Sequence, residues 1–283
     1  MKAQLHAHFE TIDPVISGIV SVSEAYALDK SSHESAFEAL ASSIASQQIS
    51  GLVARKILER LVALFGGRFP TPAELAAATP ESLRAVGFSF AKVAALQDLA
   101  AHASDGRLPP DEELRLLDDE AIIERCVAVR GIGRWTVQML LMFHFSRHDV
   151  MPADDFGVRN GFRLAYGLKG LPKPKALLAY AERWKPYRSA GAWYLWRAVD
   201  LHQLGTLPRR IGRVPRIEIE TPKPPKQAKP AAKKTKAAAM KSKSGKGKAK
   251  AAKRAKPAVP KKAPAKRTRR TTALSKGRRA PRR

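Results

Sequence analysis

A short and nearly uncharged stretch, VRGIGRWTVQ (residues 129–138), has the composition of a phosphate-binding turn. Gly131 and Gly133 flank Ile132, and glycines in a turn between two helices allow positive φ and close approach of the backbone to a ligand. The second helix is predicted to begin near Arg134, so its first N–H groups face outward without intrahelical partners. These N–H groups, together with the helix dipole, can bind a phosphate oxygen of a nucleic acid whatever its base sequence. Taken alone, the pattern more often marks an ordinary helix–helix turn.

Few other residue types in the chain have a spacing that suits chemistry. Asp154 and Asp155 stand side by side before an apolar helical pattern, where a carboxylate could serve catalysis or simply cap the helix. His144 and His148 are four residues apart, as metal ligands on one helix would be, but no third ligand is evident beyond Asp149. A solvent-facing pair at a helix end is the favoured interpretation of the two histidines.

The single cysteine and the N-terminus limit the class of protein. Cys126 excludes an internal disulfide, an all-cysteine iron–sulfur cluster and a cysteine-based zinc site, and it suits a reducing compartment. The N-terminus lacks the apolar core of a signal peptide, and no apolar run is long enough to span a bilayer. We therefore expect an intracellular protein, cytoplasmic or nucleoid-associated, without membrane contact.

The net charge of +27 lies at one end of the chain. From Arg209 onward there are 29 Lys or Arg residues against Glu218 and Glu220, which leaves 23 basic and 23 acidic residues before Arg209. The basic segment is rich in Lys, Ala and Pro, so it buries too little apolar surface to order itself and is predicted to be disordered and extended. Contact with nucleic acid phosphates is its favoured role, with a solubilising linker as the alternative.

Helical spacing dominates the neutral part of the chain and predicts an all-α fold of many short helices. TPAEL at Thr71 has a capping threonine, a first-turn proline and Glu74, which together form a capping box. Ser89 and Asp118 or Asp119 are predicted to cap later helices. Residues 135–145 are apolar on nearly every face, which indicates a buried helix.

Four segments in this order resemble the helix-hairpin-helix DNA glycosylase superfamily, in particular its 3-methyladenine DNA glycosylase II branch in compact form. They are FEALASSIASQQIS, GIGRWTVQ, PADDFGVR and YAERWKPYRSAGAWYLW. The resemblance covers residues 1–205 and implies two helical subdomains with the active-site cleft between them. Residues 35–129 would form one subdomain, and the N-terminal segment would pack with the C-terminal half. Residues 206–283 would be the basic tail.

The resemblance assigns the catalytic carboxylate to Asp155, and Asp154 becomes the more natural helix cap or a supporting residue. Cleavage of a base–sugar bond develops positive charge on the sugar, which a nearby anion stabilises while it orients or activates water. Trp135 and Trp196 match aromatic residues of the base pocket, where an indole face suits a cationic alkylated purine. Trp184 and Trp193 are predicted to be core residues instead.

Other positions also take roles from the resemblance. Bifunctional relatives hold a Schiff-base lysine where Trp135 stands, so hydrolysis to an abasic site without strand cleavage is predicted. Gln47 and Gln48, with Ile49, match the segment that fills the gap left by the everted nucleotide, although a polar helix end facing solvent is an equal alternative. The resemblance also implies that the backbone amides of Gly131, Gly133 and Thr136 contact a DNA phosphate. In relatives, backbone carbonyls at the positions of Val127, Val129 and Ile132 hold a monovalent cation.

The predicted activity is the hydrolysis of alkylated purines of the 3-methyladenine and 7-methylguanine type from double-stranded DNA. We expect a monomer with no cofactor beyond that structural cation, and no iron–sulfur cluster. Two alternatives remain. One is a non-enzymatic DNA-binding or architectural protein that uses the same hairpin, and the other is a glycosylase for deaminated or oxidised bases.

Overall fold

The computed structural model describes residues 1–28, 33–209 and 215–220. Helices account for most of this part of the chain, and their bounds are α1 Lys2–Ile12, α2 Pro14–Val22, α3 Ala36–Ser46, α4 Gly51–Leu64, α5 Pro72–Ala77, α6 Pro80–Val86, α7 Phe90–Ser104, α8 Asp111–Leu114, α9 Asp119–Val127, α10 Arg134–Met139, α11 Phe156–Tyr166, α12 Pro174–Ala181 and α13 Arg188–Gln203. Helix α10 continues into a π-helical turn, Leu140–His144, and a 3₁₀ turn, Glu182–Trp184, follows α12. The predicted all-α fold is confirmed, with one isolated antiparallel bridge between Pro172 and Ile219.

The helix starts follow the capping residues of the sequence. Thr71 and Glu74 form the predicted capping box, with Pro72 in the first turn of α5. Ser89 accepts a hydrogen bond from the Lys92 amide at the start of α7, and Asp118, the first of the two predicted candidates, caps α9 in the same way. These short-range hydrogen bonds set where each helix begins, independently of its packing partners.

Two groups of helices pack among themselves. Helices α1 and α2 pack against each other, and α2 also contacts α11 and α13, so the N-terminal segment lies against the C-terminal helices. Helices α3 to α7 form the other group, in which α7 contacts α3, α5 and α6. Helix α10 packs on α9, and the π turn that follows it contacts α3. Most of residues 135–145 are buried, as predicted for this stretch, whereas Trp135 at its start is exposed.

A buried carboxylate joins the N-terminal helices to the C-terminal ones. Asp13 is 2% exposed and accepts hydrogen bonds from the Tyr166 hydroxyl at 2.6 Å and from the Trp184 indole at 2.8 Å. Burial, with Asp13 alongside, raises the pKa of Tyr166 well above its usual value. Trp184 is fully buried and Trp193 packs partly buried against the core, as predicted.

Residues 204–209 and 215–220 of the segment after α13 lie within the described part of the chain. Residues 215–220, which the prediction assigned to the tail, lie against the loop before α12, where Lys173 donates to the Glu218 carbonyl and Glu220 donates to the Leu171 carbonyl. Arg159 also pairs with Glu220 at 2.5 Å. The rest of the predicted tail, from residue 221, lies outside the described residues. None of the described helices combines the length and the apolar character that crossing a membrane requires.

Candidate active site

The Asp155 carboxylate lies at the N-terminus of α11 and is held by three N–H donors. Its Oδ1 atom accepts from the Val158 amide at 2.7 Å and from the Trp196 indole at 2.8 Å. Its Oδ2 atom accepts from the Trp135 indole at 2.9 Å. Hydrogen bonds to an ionised carboxylate are strong, and the helix dipole favours the same charge. The structure thus brings together three residues that are 20 and 41 positions apart in the chain.

Asp154 was expected to cap this helix or to support the site, and the first of these two roles is wrong. Asp155 directly precedes α11 and bonds the amide three residues on, which is the reach that a capping side chain requires. Asp154 stands one residue too early and is exposed. Asp155 therefore combines the capping role with its place between the two indoles, so the two interpretations of this residue do not exclude each other.

Two glycines of α11, which the sequence analysis did not single out, set how closely α13 approaches. A Cβ atom on Gly161 would lie 1.9 Å from the carbonyl oxygen of Leu195 in α13. A Cβ atom on Gly157 would lie 2.8 Å from the Trp196 ring and 3.1 Å from Oδ1 of Asp155. Their spacing of four residues, on one face of a helix, is the signal that could have revealed this contact.

A cavity of about 650 Å³ opens beside Trp135, and its volume lies in the usual range for small-molecule sites. Its lining includes Trp135, Thr136 and Met139 of α10 together with Ser42 and Ser46 of α3. The Trp135 side chain is 47% exposed, so its indole borders the cavity while its N–H points to the carboxylate. A planar ring bound in this cavity would contact the indole.

Trp196 has a different environment from Trp135. It is partly buried, stacks on Phe143 with ring centroids 6.1 Å apart, and does not line the cavity in the described part of the chain. Its hydrogen bond to Asp155 is the contact that ties it to the site. Phe156, which the sequence analysis passed over, follows Asp155 and is 66% exposed. Exposure of a large aromatic ring beside a carboxylate is a signal that only the structure provides.

The hairpin between α9 and α10 has the predicted form. Gly131 adopts φ 78°, the left-handed region that favours glycine, and Ile132 is 5% exposed and anchors the turn in the core. Gly133 caps α10 with extended backbone, and the space around the position of its missing Cβ is open. The first two residues of α10, Arg134 and Trp135, are exposed, whereas Thr136 is 8% exposed.

The two glutamines in the loop between α3 and α4 differ in their contacts and in their backbone conformation. Gln47 donates from Nε2 to the Gly131 carbonyl at 2.9 Å, so it joins this loop to the hairpin. Gln48 is exposed and has φ 59°, a left-handed conformation that is uncommon outside glycine. Ile49 is 37% exposed beside it. Among the three candidates, Gln48 and Ile49 have exposed side chains, whereas Gln47 bonds the hairpin.

The larger cavity, of about 790 Å³, lies elsewhere and is lined by paired charges. Arg147 pairs with Asp119 at 3.5 Å, and Arg188 pairs with Asp149 at 2.8 Å. Burial raises the pKa of Asp119 from its ordinary value. Because Trp135, whose indole N–H bonds Asp155, lines the smaller cavity and not the larger one, we place the chemistry at the smaller cavity.

The histidine prediction needs correction. His144 does not face solvent: its side chain is 6% exposed and its Nε2 atom lies 2.5 Å from Asp111. His148 is exposed. His144 is the last residue of the π turn that follows α10. Among the described residues, no three His, Cys, Asp or Glu side chains gather as a metal site would require.

Comparison with known proteins agrees with this architecture. Residues 41–186 match the family described as the HhH-GPD superfamily of base excision DNA repair proteins, and the chain belongs to this superfamily. DNA-3-methyladenine glycosylase 1 of Schizosaccharomyces pombe is 42% identical over 166 residues, which are 58% of this chain and 73% of that protein. The resemblance stated from the sequence is confirmed.

Two solved structures are also similar. The 3-methyladenine DNA glycosylase of Schizosaccharomyces pombe in complex with abasic DNA superposes with a TM-score of 0.62 at 37% identity, over 69% of this chain and 95% of that one. A DNA-3-methyladenine glycosidase of Bacillus halodurans has a TM-score of 0.64 at 29% identity, over 70% and 89% of the two chains.

Proposed function

We propose that this chain is a monofunctional DNA glycosylase that hydrolyses the N-glycosidic bond of alkylated purines in double-stranded DNA and leaves an abasic site. The observation that carries the proposal is the Asp155 carboxylate, held by two indole N–H groups beside a cavity with an aromatic wall. The named activity of the similar Schizosaccharomyces pombe protein supports it. We infer that the protein works as a monomer on DNA within the cell, associated with the nucleoid.

In the proposed reaction, Asp155 acts on the sugar of the everted nucleotide. As the bond from C1′ to the base nitrogen breaks, its electron pair leaves with the base and positive charge develops on the sugar. The carboxylate stabilises this charge, and its remaining lone pairs can accept a proton from the water that attacks C1′. Because three N–H donors already orient the group, little reorganisation is needed when the charge appears.

The leaving base explains why one carboxylate is sufficient. A purine alkylated at N3 or N7 carries positive charge, so it departs as a neutral molecule without a proton from a general acid. The half-exposed Trp135 ring can stack on such a base, and cation–π attraction contributes about 0.5–2 kcal/mol. We assign Trp196 a supporting role, since it holds Asp155 and does not border the cavity.

Cleavage of the DNA backbone is not part of the proposed activity. A bifunctional mechanism needs an amine that forms a Schiff base with the sugar. Trp135 stands at the hairpin position where such relatives hold lysine, and the described lining of the cavity contains no lysine. The abasic site is therefore the expected product.

We propose that the loop after α3 enters the duplex while the hairpin holds its backbone. We propose that Gln48 and Ile49 enter the gap left by the everted nucleotide, because their side chains are exposed, while Gln47 braces the loop against Gly131. The amides of Gly131, Gly133 and Thr136 are proposed to receive a phosphate oxygen at the start of α10.

The hairpin also has oxygen atoms suited to a monovalent cation. Helix α9 ends at Val127, and the carbonyls of a last helical turn lack intrahelical partners and carry the negative end of the dipole. The Val129 carbonyl accepts the Ile132 amide at 3.1 Å and keeps a second lone pair. We propose that the carbonyls of Val127, Val129 and Ile132 hold such an ion, which would supply positive charge toward a phosphate.

Base release from methylated duplex DNA tests the proposed function. We expect the protein to liberate 3-methyladenine or 7-methylguanine, identified by chromatography and mass spectrometry, and to leave DNA that breaks only after alkaline treatment. Duplexes with a deaminated or an oxidised base test the second alternative in parallel. Binding without release from any of these substrates would favour the architectural protein and would contradict the proposal.

We further propose that the basic tail raises affinity for DNA of any sequence. The part of this tail that lies beyond the described residues, 221–283, contains 25 Lys or Arg residues and no Asp or Glu. Each phosphate that they neutralise adds about 0.9 to the slope of log affinity against log salt. A chain ending at Glu220 keeps the residues that pack beside α12, and we expect it to bind duplex DNA more weakly and with a shallower salt slope.

Fluorescence anisotropy at several salt concentrations measures both quantities for the chain shortened to Glu220. A full-length chain with the residues of 221–283 in scrambled order is the matched control, and it should bind as the parent does because the contact does not depend on sequence. Equal affinity and equal slope for the shortened and parent chains would refute the role of the tail.

A further inference from the structure

An acidic side chain of α7 contacts the backbone of the hairpin between α9 and α10. Asp98 of α7 accepts a hydrogen bond from the Arg130 amide at 2.7 Å through its Oδ2 atom. One turn earlier on α7, the Ala95 methyl group lies 3.5 Å from the position that a Cβ atom of Gly131 would take. Helix α7 therefore supports the hairpin at two consecutive residues, through one polar and one apolar contact.

A buried histidine lies beside Asp98 on the same helix. His102 is 4% exposed, and its Nδ1 atom lies 2.8 Å from the Asp98 carbonyl and 3.6 Å from the Asp98 carboxylate. Arg107 has only donors, so its contact with Nε2 of His102 at 2.8 Å makes that nitrogen the acceptor and leaves the proton on Nδ1. Arg107 pairs in turn with Asp105. Polar contacts therefore connect Asp105, Arg107 and His102 to the main chain of Asp98, whose carboxylate bonds the Arg130 amide.

The hairpin is also held from its other side. Gln47 donates to the carbonyl of Gly131, the residue after Arg130, so two successive residues of the turn are bonded to side chains of α7 and of the loop after α3. The amide of Arg130 and the carbonyl of Gly131 are the groups engaged. Gly131 and Gly133 are exposed, and their amides are the groups proposed to bind a phosphate.

Because Asp98 is negatively charged, its charge and its hydrogen bond are expected to affect DNA binding in opposite directions. A carboxylate near bound phosphates repels them, so charge alone predicts that any neutral residue at position 98 strengthens DNA binding. The hydrogen bond predicts the opposite for a residue that cannot accept it, because Arg130 would lose its partner and the hairpin amides would lose their fixed direction. The two effects can be separated, since asparagine removes the charge and keeps an acceptor.

We propose that Asp98 is a positioning residue that fixes the hairpin for phosphate binding through the Arg130 amide. This proposal rests on the proposed function, because it takes the hairpin to be the phosphate-binding element. Asp98 contacts neither the cavity nor Asp155, so it acts on the binding of DNA and not on the bond that breaks.

Opposite effects of two substitutions at position 98 test the proposal. We expect D98A to weaken binding of a duplex with an abasic site by about tenfold, the equivalent of one charged hydrogen bond. We expect D98N to bind as tightly as the parent or more tightly. In single-turnover base release at saturating enzyme, both variants should react at the parental rate, so the loss in D98A appears as a higher enzyme concentration at half-saturation.

Amide hydrogen exchange gives a direct readout of the same contact. The Arg130 amide should be protected in the parent and in D98N and should exchange faster in D98A. Glu124→Ala is the matched charge control, because Glu124 is exposed on α9 and makes no ion pair in the described part of the chain. It should bind DNA slightly more tightly. If D98A does not fold, D98S, whose hydroxyl is too short to reach the amide, provides the same comparison.

The outcomes that overturn the proposal are distinct from failure of the proposed function. Tighter binding by both D98A and D98N would show that only the charge matters at position 98. Parental binding by D98A would show that the hydrogen bond has no role. A parent protein that releases no base and does not prefer abasic DNA would instead refute the proposed function.

Discussion

Replacement of Asp155 by asparagine is expected to slow base release about a thousandfold while DNA binding is retained. Asparagine keeps an oxygen that can accept the Val158 amide, so the cap of α11 and the fold survive. It loses the negative charge that stabilises the sugar cation, and one of the two indole N–H groups loses its acceptor. Single-turnover release of 3-methyladenine or 7-methylguanine at saturating enzyme measures the chemical step separately from binding.

The neighbouring carboxylate provides a matched control for Asp155→Asn. Asp154 has the same chemistry, stands one residue earlier in the chain and is exposed. Asp154→Asn should change the rate of release less than twofold, because its carboxylate contacts neither indole in the described structure. Equal rates for the parent and Asp155→Asn would remove Asp155 from the mechanism, and an equal loss in both variants would show that the local negative charge is not specific to position 155.

Gly161→Ala is expected to lower the free energy of unfolding by about 3 kcal/mol. The new Cβ atom would lie 1.9 Å from the Leu195 carbonyl oxygen, which is a backbone atom that cannot rotate away. Helices α11 and α13 would have to separate along their contact. Asp155 caps α11 and α13 carries Trp196, so the rate of base release should also decrease, even at temperatures at which the variant is folded. Urea denaturation followed by circular dichroism measures the stability change.

Gly51 offers a control for the general effect of replacing glycine in a helix. It occupies the first position of α4, and nothing lies within 4 Å of the position of its missing Cβ. Gly51→Ala should change the free energy of unfolding by no more than about 0.5 kcal/mol. If Gly161→Ala were equally mild, the close contact between α11 and α13 would not contribute to stability as inferred.

Much of the secondary structure is predictable because its causes are local. The capping box of Thr71 and Glu74 acts over three residues, and Gly131 takes its positive φ within one turn. The same holds for the start of α10 at Arg134, directly after the capping Gly133. The functional roles of Asp155 and the tryptophans did not come from such local rules. They came from resemblance to a known family, and they remain predictions at the level of individual residues.

The sequence by itself determined the helices, the glycine hairpin and the concentration of positive charge after Arg209, since each depends on neighbouring residues or on composition. Only the tertiary structure decided which side chains meet. It placed Trp135 and Trp196 on opposite oxygens of Asp155, and it turned His144 toward Asp111. The physical reason is range: a cap forms between residues a few positions apart, whereas these contacts depend on how whole helices pack around glycines such as Gly161.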